Sequence, residues 1–308
     1  MGGLIFGMVG LSMGGSQILI PDPRNISHIC DEFALYRPTL MANVPSLYQM
    51  LLQDPLFEKL DFSRIKGCIS GAAPFPVEPM KAFEQLIGKG KVNEGFGMTE
   101  GGVLLMQNPR KGPKKIGSVG IPIQSTYVKL MDISTGTKEV PLGEEGEIIV
   151  RAPQLFKGYH NSPEETGHAL REFQGEKWLY TGDVARMDED GYFTIVDRTK
   201  DMINVSGYKV FSREVEEVLH EHPAIECCAI VGMPDPDRPG SELVKAIIQL
   251  SNNHKDKDLG ELEQEIIEYC RENMSPYKRL KTIEFVDQLP LTSVGKVDKK
   301  ALRSSVRG

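Results

Sequence analysis

The chain has 308 residues, a formal charge of −7, and apolar and charged fractions ordinary for a water-soluble protein. That length buries a sizeable core and is expected to divide into two or three lobes. The acidic balance excludes a sequence-independent grip on nucleic acid, which needs a dense basic face. Cys30, Cys68, Cys227, Cys228 and Cys270 lack C-x-x-C spacing. They read as buried thiols of a reducing, cytoplasmic compartment, neither a disulfide framework nor a zinc site. Lys111, Lys114 and Lys115 make a small basic cluster, read as a solvated loop.

Residues 2–21 carry no charge, which superficially suggests a membrane span. Frequent glycines (Gly2, Gly3, Gly7, Gly10, Gly14, Gly15) with Ser12, Ser16 and Gln17 dilute the apolar run, and no basic stretch precedes it. The expectation is a buried helix over about residues 4–13 and a strand over 17–20; a membrane-associated segment is the alternative. After the Pro21-Asp22-Pro23 turn, strands and helices alternate. Residues 25–36 have helical spacing, with Ile26, Ile29 and Phe33 on one face. An apolar run follows at 39–44, then a helix over 46–52 with Leu47, Met50 and Leu51 buried. A strand over 65–70 ends in Gly71-Ala72-Ala73-Pro74. Small residues at the C-terminal end of a strand are where open α/β sheets receive ligands. A helix over 79–88 and a strand over 91–94 lead into the most informative stretch.

That stretch is Gly95-Phe96-Gly97-Met98-Thr99-Glu100-Gly101-Gly102. Its glycines permit close backbone approach and left-handed conformations. The mix suits a nucleotide: a ring for the base, Thr99 for a phosphate oxygen, Glu100 for the magnesium that accompanies phosphates. Taken alone, it reads equally as a tight turn between buried elements. Two consecutive strands ending in small-residue loops lie side by side in a parallel sheet, and this favours the nucleotide.

From residue 117 the pattern changes to short strands with polar turns, at 127–132, 147–151, 180–187 and 192–196, predicting a small barrel or sandwich. Asp183, behind Thr181-Gly182, suits a pair of sugar hydroxyls or an Asx-type turn. The charged segment Asp197-Arg198-Thr199-Lys200-Asp201 reads as an interlobe linker. Beyond it come a hairpin around Ser206-Gly207, a helix capped by Ser212, strands at 227–231 and 244–250, and a helix whose capping box is Asp258 and Glu261. A strand at 282–286, a turn over 289–296 and a short helix from Asp298 close the chain. The predicted organisation is α/β and α+β. It comprises an α/β sheet lobe (1–116), a barrel-like subdomain (117–197) and a mobile C-terminal α+β lobe (198–308).

Several motifs occur together in one order: residues 95–100, Tyr180-Thr181-Gly182-Asp183, residues 197–201 with Gly207, and Pro290-Leu291-Thr292-Ser293-Val294-Gly295-Lys296. Gly146-Glu147-Ile148-Ile149-Val150 followed by Gly158-Tyr159 is another. In these the chain resembles the adenylate-forming superfamily of acyl-CoA synthetases, adenylation domains and beetle luciferases. The Phe-Gly-Met-Thr-Glu form and Val205-Ser206-Gly207-Tyr208-Lys209 look most like medium- or long-chain fatty acyl-CoA ligases. The resemblance implies that a fatty acid or related carboxylate reacts with ATP to give acyl-adenylate and pyrophosphate, and that the CoA thiol then displaces AMP. It implies that Lys296 bridges carboxylate and α-phosphate, Thr99 holds phosphate oxygen and Glu100 the Mg2+. Phe96 would stack adenine beside Gly71, Ala72 and Ala73, with Glu94, Gly95 and Gly97 shaping the nucleotide site. Asp183 and Arg198 would hold the ribose, and Gly101 and Gly102 would face the acid. Lys200 corresponds to the hinge, Ser206, Gly207 and Tyr208 to the CoA passage, and Lys209 to a CoA phosphate contact.

The superfamily's Ser/Thr/Gly-rich phosphate loop, ending in Pro-Lys, does not occur in this sequence. The expectation is therefore a part of an acyl-CoA ligase, inactive until the missing region is supplied. An exposed apolar face would invite homo-oligomerisation or peripheral membrane contact. The alternatives are a non-catalytic remnant that binds nucleotide, CoA or a partner protein, and an adenylation or aryl-acid CoA ligase. The Phe-Gly-Met-Thr-Glu form counts against the last.

Overall fold

The computed structural model describes residues 2–73, 75–255, 257–292 and 297–307. The chain forms two compact units, Met1–Thr181 with Ala185–Ile195, and Gly182–Val184 with Val196–Gly308.

The first unit begins with α1 (Gly2–Ser12) and α2 (Ile26–Tyr36). Asn25 caps α2 by accepting from the His28 N–H, and Ile29, Cys30 and Phe33 form its buried face. Next come β1 (Leu40–Asn43), α3 (Pro45–Leu52), α4 (Pro55–Glu58), β2 (Gly67–Ser70), α5 (Val77–Ile87) and β3 (Val92–Phe96). β1, β2 and β3 are parallel neighbours. The sheet then turns antiparallel through β4 (Met106–Gln107) and β5 (Ile121–Pro122).

The core beside β2 is aromatic: Tyr48 stacks on Phe75 at 5.7 Å between centroids and packs against Phe83 at 4.7 Å. Each such buried ring contributes on the order of 2–3 kcal/mol by leaving water. Its hydroxyl donates to the Ile69 carbonyl oxygen at 2.9 Å, so the core grips the end of β2.

A second sheet follows the order β6–β7–β9–β10, from β6 (Tyr127–Met131), β7 (Glu145–Arg151), β9 (Glu176–Met187) and β10 (Phe193–Arg198). The short helix α6 (Pro163–Ala169) precedes β8 (Leu170–Phe173), which pairs with β9.

The second unit continues with the hairpin β11 (Ile203–Val205) and β12 (Tyr208–Val210), then α7 (Ser212–His220), β13 (Ile225–Pro234) and β14 (Glu242–Leu250). After α8 (Leu259–Asn273), β15 (Thr282–Val286) adds in parallel to β14, and α9 (Lys299–Arg307) ends the described chain. Val215, Leu219, Ile230, Ile248, Leu262 and Ile266 carry its core.

Several expectations need correction. Residues 17–20 form no strand among the described residues. The chain there has no regular secondary structure, and the Gln17 amide instead donates to the Gly7 carbonyl oxygen. α1 is exposed along its described side chains, with Met8 and Leu11 each 63% accessible. Its glycine-rich, uniformly apolar sequence gives it no single face to bury. Met50 lies outward from α3, and Tyr48 and Leu51 take the buried positions. Ser212 is the first residue of α7, not its cap. Its hydroxyl donates to Asp197 at 2.9 Å and accepts from Lys299 at 2.7 Å. Lys115 is paired to Asp188 and Asp190, at 2.5 and 2.6 Å. The five cysteines are free thiols, as expected; Cys227 alone among them is half-buried and not buried, and burial pushes Cys68 up to about 12 and Cys270 up to about 11. No helix is long and apolar enough to cross a membrane among the described residues.

Candidate active site

The parallel pairing of β2 with β3 places Ser70 opposite Glu94 and puts the two strand ends side by side. A Cβ on Gly71 would lie 3.6 Å from the Gly95 carbonyl oxygen, which measures how closely the two loops approach. Glu94, buried in the middle of β3, accepts from the Phe75 N–H at 3.0 Å and ties the chain that follows β2 to its neighbouring strand. Ala72 sits at φ +69°, a left-handed conformation an L-residue rarely adopts. Ser70 Oγ is buried at this edge without a hydrogen-bond partner among the described residues. A buried hydroxyl left unmatched costs roughly 1–3 kcal/mol.

The Gly-rich stretch is less of a loop than its composition suggests. Gly95 and Phe96 belong to β3 and pair with Gln107 and Met106 of β4. Phe96 packs, partly buried, against the cluster of Leu105, Met106, Ile148 and Val150. Thr99–Gly101 forms one 3-10 turn, with Gly102 left-handed behind it at φ +72°. Gly97 is glycine for a steric reason internal to the chain: a Cβ there would lie 1.7 Å from the Val103 carbonyl oxygen. Val103 itself sits at φ +84°, an outlier for a β-branched side chain, and its N–H donates to the Met98 carbonyl oxygen at 2.9 Å.

Thr99 is exposed and Glu100 half-buried. The Glu100 carboxylate accepts from the Tyr159 hydroxyl at 2.8 Å, and its carbonyl oxygen accepts from the Phe156 N–H at 2.8 Å. Tyr159 is held in turn by Phe156, edge to face at 4.9 Å, and by its N–H donating to Thr166 Oγ1 at 2.9 Å. Burial pushes the Tyr159 phenol up to about 12, with the Glu100 carboxylate adding to the shift. The Gly158-Tyr159 motif was visible in the sequence, but its contact with Glu100 has no local signal.

A hard cation that keeps waters and phosphate oxygens in its shell is matched by one carboxylate and one hydroxyl, as Glu100 and Thr99 offer. Among the described residues no group of three or more His, Cys, Asp or Glu forms a self-sufficient metal cage.

In the second unit, Arg198 Nε donates to Asp183 Oδ1 at 3.0 Å, bringing the two predicted ribose residues together with Asp183 buried. The Thr199 N–H and hydroxyl both donate to the Gly182 carbonyl oxygen, at 2.9 and 3.3 Å. Asp197 is buried and accepts from the Arg198 N–H at 2.8 Å as well as from Ser212. Lys200 offers its carbonyl oxygen to Arg303 Nη1 at 3.3 Å, and Arg303 also pairs with Asp201. Ser206 and Gly207 form the β11–β12 turn at φ +51° and +90°; a side chain at Gly207 would meet no atom within 4 Å. Tyr208 is exposed and stacks on Tyr277 at 4.9 Å, and Lys209 is exposed beside it. Lys296 lies outside the described residues.

Residues 1–160 match the AMP-binding enzyme family, and residues 214–296 match the AMP-binding enzyme C-terminal domain. The chain is 41% identical to a long-chain-fatty-acid–CoA ligase of Bacillus subtilis over 294 residues, which is 95% of this chain and 50% of the relative. It is 37% identical to a feruloyl-CoA synthase of an Amycolatopsis species, over 87% of this chain and 52% of the relative. Among solved structures it is similar to the anthranilate CoA ligase AuaEII in complex with anthranoyl-AMP. That match has a TM-score of 0.82 and 33% identity and covers 96% of this chain and 55% of the other. ATP-bound MatB from Rhodopseudomonas palustris is similar at a TM-score of 0.83 and 31% identity, over 94% and 55%. The chain thus spans about half the length of the curated relatives it matches.

Proposed function

Because this chain belongs to the AMP-binding enzyme family, we propose that it is part of an acyl-CoA ligase that activates a fatty acid with ATP and passes the acyl group to CoA. The observation that carries this reading is the pairing of β2 with β3, where Gly71 approaches Gly95 and β3 runs on within three residues into the Thr99–Gly101 turn.

In the first step a carboxylate oxygen of the acid attacks the α-phosphorus of ATP, and pyrophosphate leaves with the electrons of the broken P–O bond. Two anions approach each other, so the step needs cations and oriented donors more than a general base. Lys296 supplies the charge that bridges them, and Thr99 holds a phosphate oxygen. Glu100 is the carboxylate that holds Mg2+, which neutralises phosphate charge when bound. Gly71–Ala73 and Phe96 take the adenine, Glu94, Gly95 and Gly97 shape the strand end beneath it, and Gly101 and Gly102 face the acid. Asp183, already held by Arg198, accepts from the ribose hydroxyls.

In the second step the CoA sulfur attacks the acyl carbon, its proton leaves to solvent and AMP departs. Between the two steps the C-terminal lobe turns about Lys200 as its hinge; Ser206, Gly207 and Tyr208 form the passage for the thiol arm, and Lys209 meets a CoA phosphate.

Similarity to a feruloyl-CoA synthase and an anthranilate CoA ligase favours one second reading, an aromatic acid. ATP–pyrophosphate exchange separates the two readings. It is measured in a protein that joins the N-terminal half of the Bacillus subtilis relative to this chain. Long-chain fatty acids are expected to drive exchange well above aromatic acids. The reverse order assigns the second reading, and exchange with neither class points to a chain that binds without catalysis.

A further inference from the structure

The hairpin turn at Ser206-Gly207 is held in an unfavourable conformation by a loop from elsewhere in the second unit. Register pairs Val205 with Tyr208, so the turn has two residues, both at positive φ. Such turns are favoured with Asn-Gly or Gly-Gly because the first residue must also be left-handed. Ser206 has a Cβ and adopts φ +51° all the same. Strain of this kind persists where neighbouring contacts over-determine it.

The contacts come from the loop between β13 and β14. That loop is closed on itself: the Asp235 N–H donates to the Ser241 carbonyl oxygen, and the Ser241 N–H to the Arg238 carbonyl oxygen, each at 3.0 Å. From this base the Ser241 hydroxyl accepts from the Ser206 N–H at 2.9 Å. Arg238 Nη1 donates to Ser206 Oγ at 3.0 Å. Asn204 joins loop and turn: its Nδ2 donates to the Gly240 carbonyl oxygen at 3.1 Å, while its Oδ1 accepts from the Gly207 N–H at 3.0 Å. Its own N–H donates to Glu242 at 3.1 Å. Both backbone N–H groups of the turn are therefore engaged by side chains, Ser206 by Ser241 and Gly207 by Asn204. Neither points to bulk water.

The geometry points to Asn204 and Ser241 as positioning residues that fix the Ser206–Gly207 turn in the conformation needed to admit CoA. This rests on the reading of Gly207 given above. The open space around Gly207 sharpens the argument. A side chain there is excluded by backbone conformation rather than by crowding within the unit, so what sets that conformation sets the passage. Arg238, exposed, adds to the bracket through Ser206 Oγ alone.

The test is made on the 308-residue chain, with residue-resolved amide hydrogen exchange and a titration with CoA. Asn204→Ala and Ser241→Ala are expected to speed exchange at Gly207 and Ser206 respectively by ~10-fold or more, with α8 amides unchanged, because only a local opening is made easier. Both are expected to weaken CoA binding several-fold. Asn204→Asp keeps the acceptor for the Gly207 N–H and is expected to restore protection there. Unchanged exchange in both alanine variants overturns the bracket. Faster exchange with undiminished CoA affinity overturns the positioning role, provided Gly207→Val weakens CoA binding. If Gly207→Val leaves CoA affinity intact, or if the parent chain binds no CoA, the reading of Gly207 itself falls.

Discussion

Tyr159 donates its hydroxyl to a Glu100 carboxylate oxygen at 2.8 Å, across a sequence separation of 59 residues. The predicted metal-holding carboxylate is thus oriented by a side chain from another segment, as outer partners commonly orient metal ligands. The phenol, up at about 12, owes its shift first to burial and then to Glu100. Glu100→Gln is expected to bring Tyr159 ionisation down, though not to the ordinary tyrosine value, because burial remains. Difference titrations near the tyrosinate absorbance, of the parent and of Glu100→Gln each against its own Tyr159→Phe counterpart, read this directly. A phenol raised on folding stabilises fully below the ordinary tyrosine value and loses that contribution as pH rises through about 12. The stability difference between the parent and Tyr159→Phe is therefore expected to stay constant up to the ordinary tyrosine range and to change only at strongly alkaline pH, where the parent loses this contribution and Tyr159→Phe does not.

Glycine substitutions should split by environment. Gly97→Ala drives a Cβ to 1.7 Å from a backbone oxygen. It is expected to destabilise the first unit by roughly 2–4 kcal/mol. Gly167 lies inside α6 with no atom within 4 Å of an added Cβ, so Gly167→Ala is expected to stabilise by about 0.5–1 kcal/mol. Urea melts of both variants check the sign as well as the size.

The adjacency of β2 and β3 was legible because two consecutive strands separated by a helix each run into a stretch of small residues, the pattern of neighbouring parallel strands. β15 and the Asp258 cap of α8, which accepts from the Glu261 N–H at 3.0 Å, were equally plain. Composition misled where tertiary partners decide. Gly95 and Phe96 read as loop but are drawn into β3 by pairing with β4. Ser212 has the chemistry of a cap, but Asp197 and Lys299 claim its hydroxyl. The Tyr159–Glu100 contact and the loop behind Ser206 join residues distant in sequence, and no local spacing marks such pairs.

Glu216 is largely buried against Lys299 Nζ at 2.7 Å and also accepts from the Ile230 N–H at 2.8 Å. Burial raises its carboxyl, with Lys299 opposing. A carboxyl raised on folding contributes fully below its ordinary value, and that contribution is lost as pH rises through the raised one. Lys299→Met removes the opposing cation. It is expected to cost about 3–5 kcal/mol at neutral pH, because it leaves a buried charge unpaired. The loss is expected to shrink in acid as Glu216 takes up its proton. Denaturant melts from pH 4 to pH 8 test this, and a pH-independent loss would point to packing alone.

Lys200 carries a backbone oxygen bonded to Arg303 at 3.3 Å in the segment proposed as the hinge. Lys200→Pro fixes one backbone torsion there. In the joined protein described above, it is expected to slow thioester formation more than adenylate formation. Single-turnover assays of each half-reaction measure the split, and equal losses would argue against a hinge.

The central claim is that this chain carries the cation for adenylate formation on Lys296. ATP–pyrophosphate exchange driven by a long-chain fatty acid, compared between the joined protein and its Lys296→Ala variant, addresses it most directly. The account predicts a fall of ~10²-fold or more, the scale for losing one charge-stabilising donor at a transition state. Undiminished exchange in the variant would contradict it.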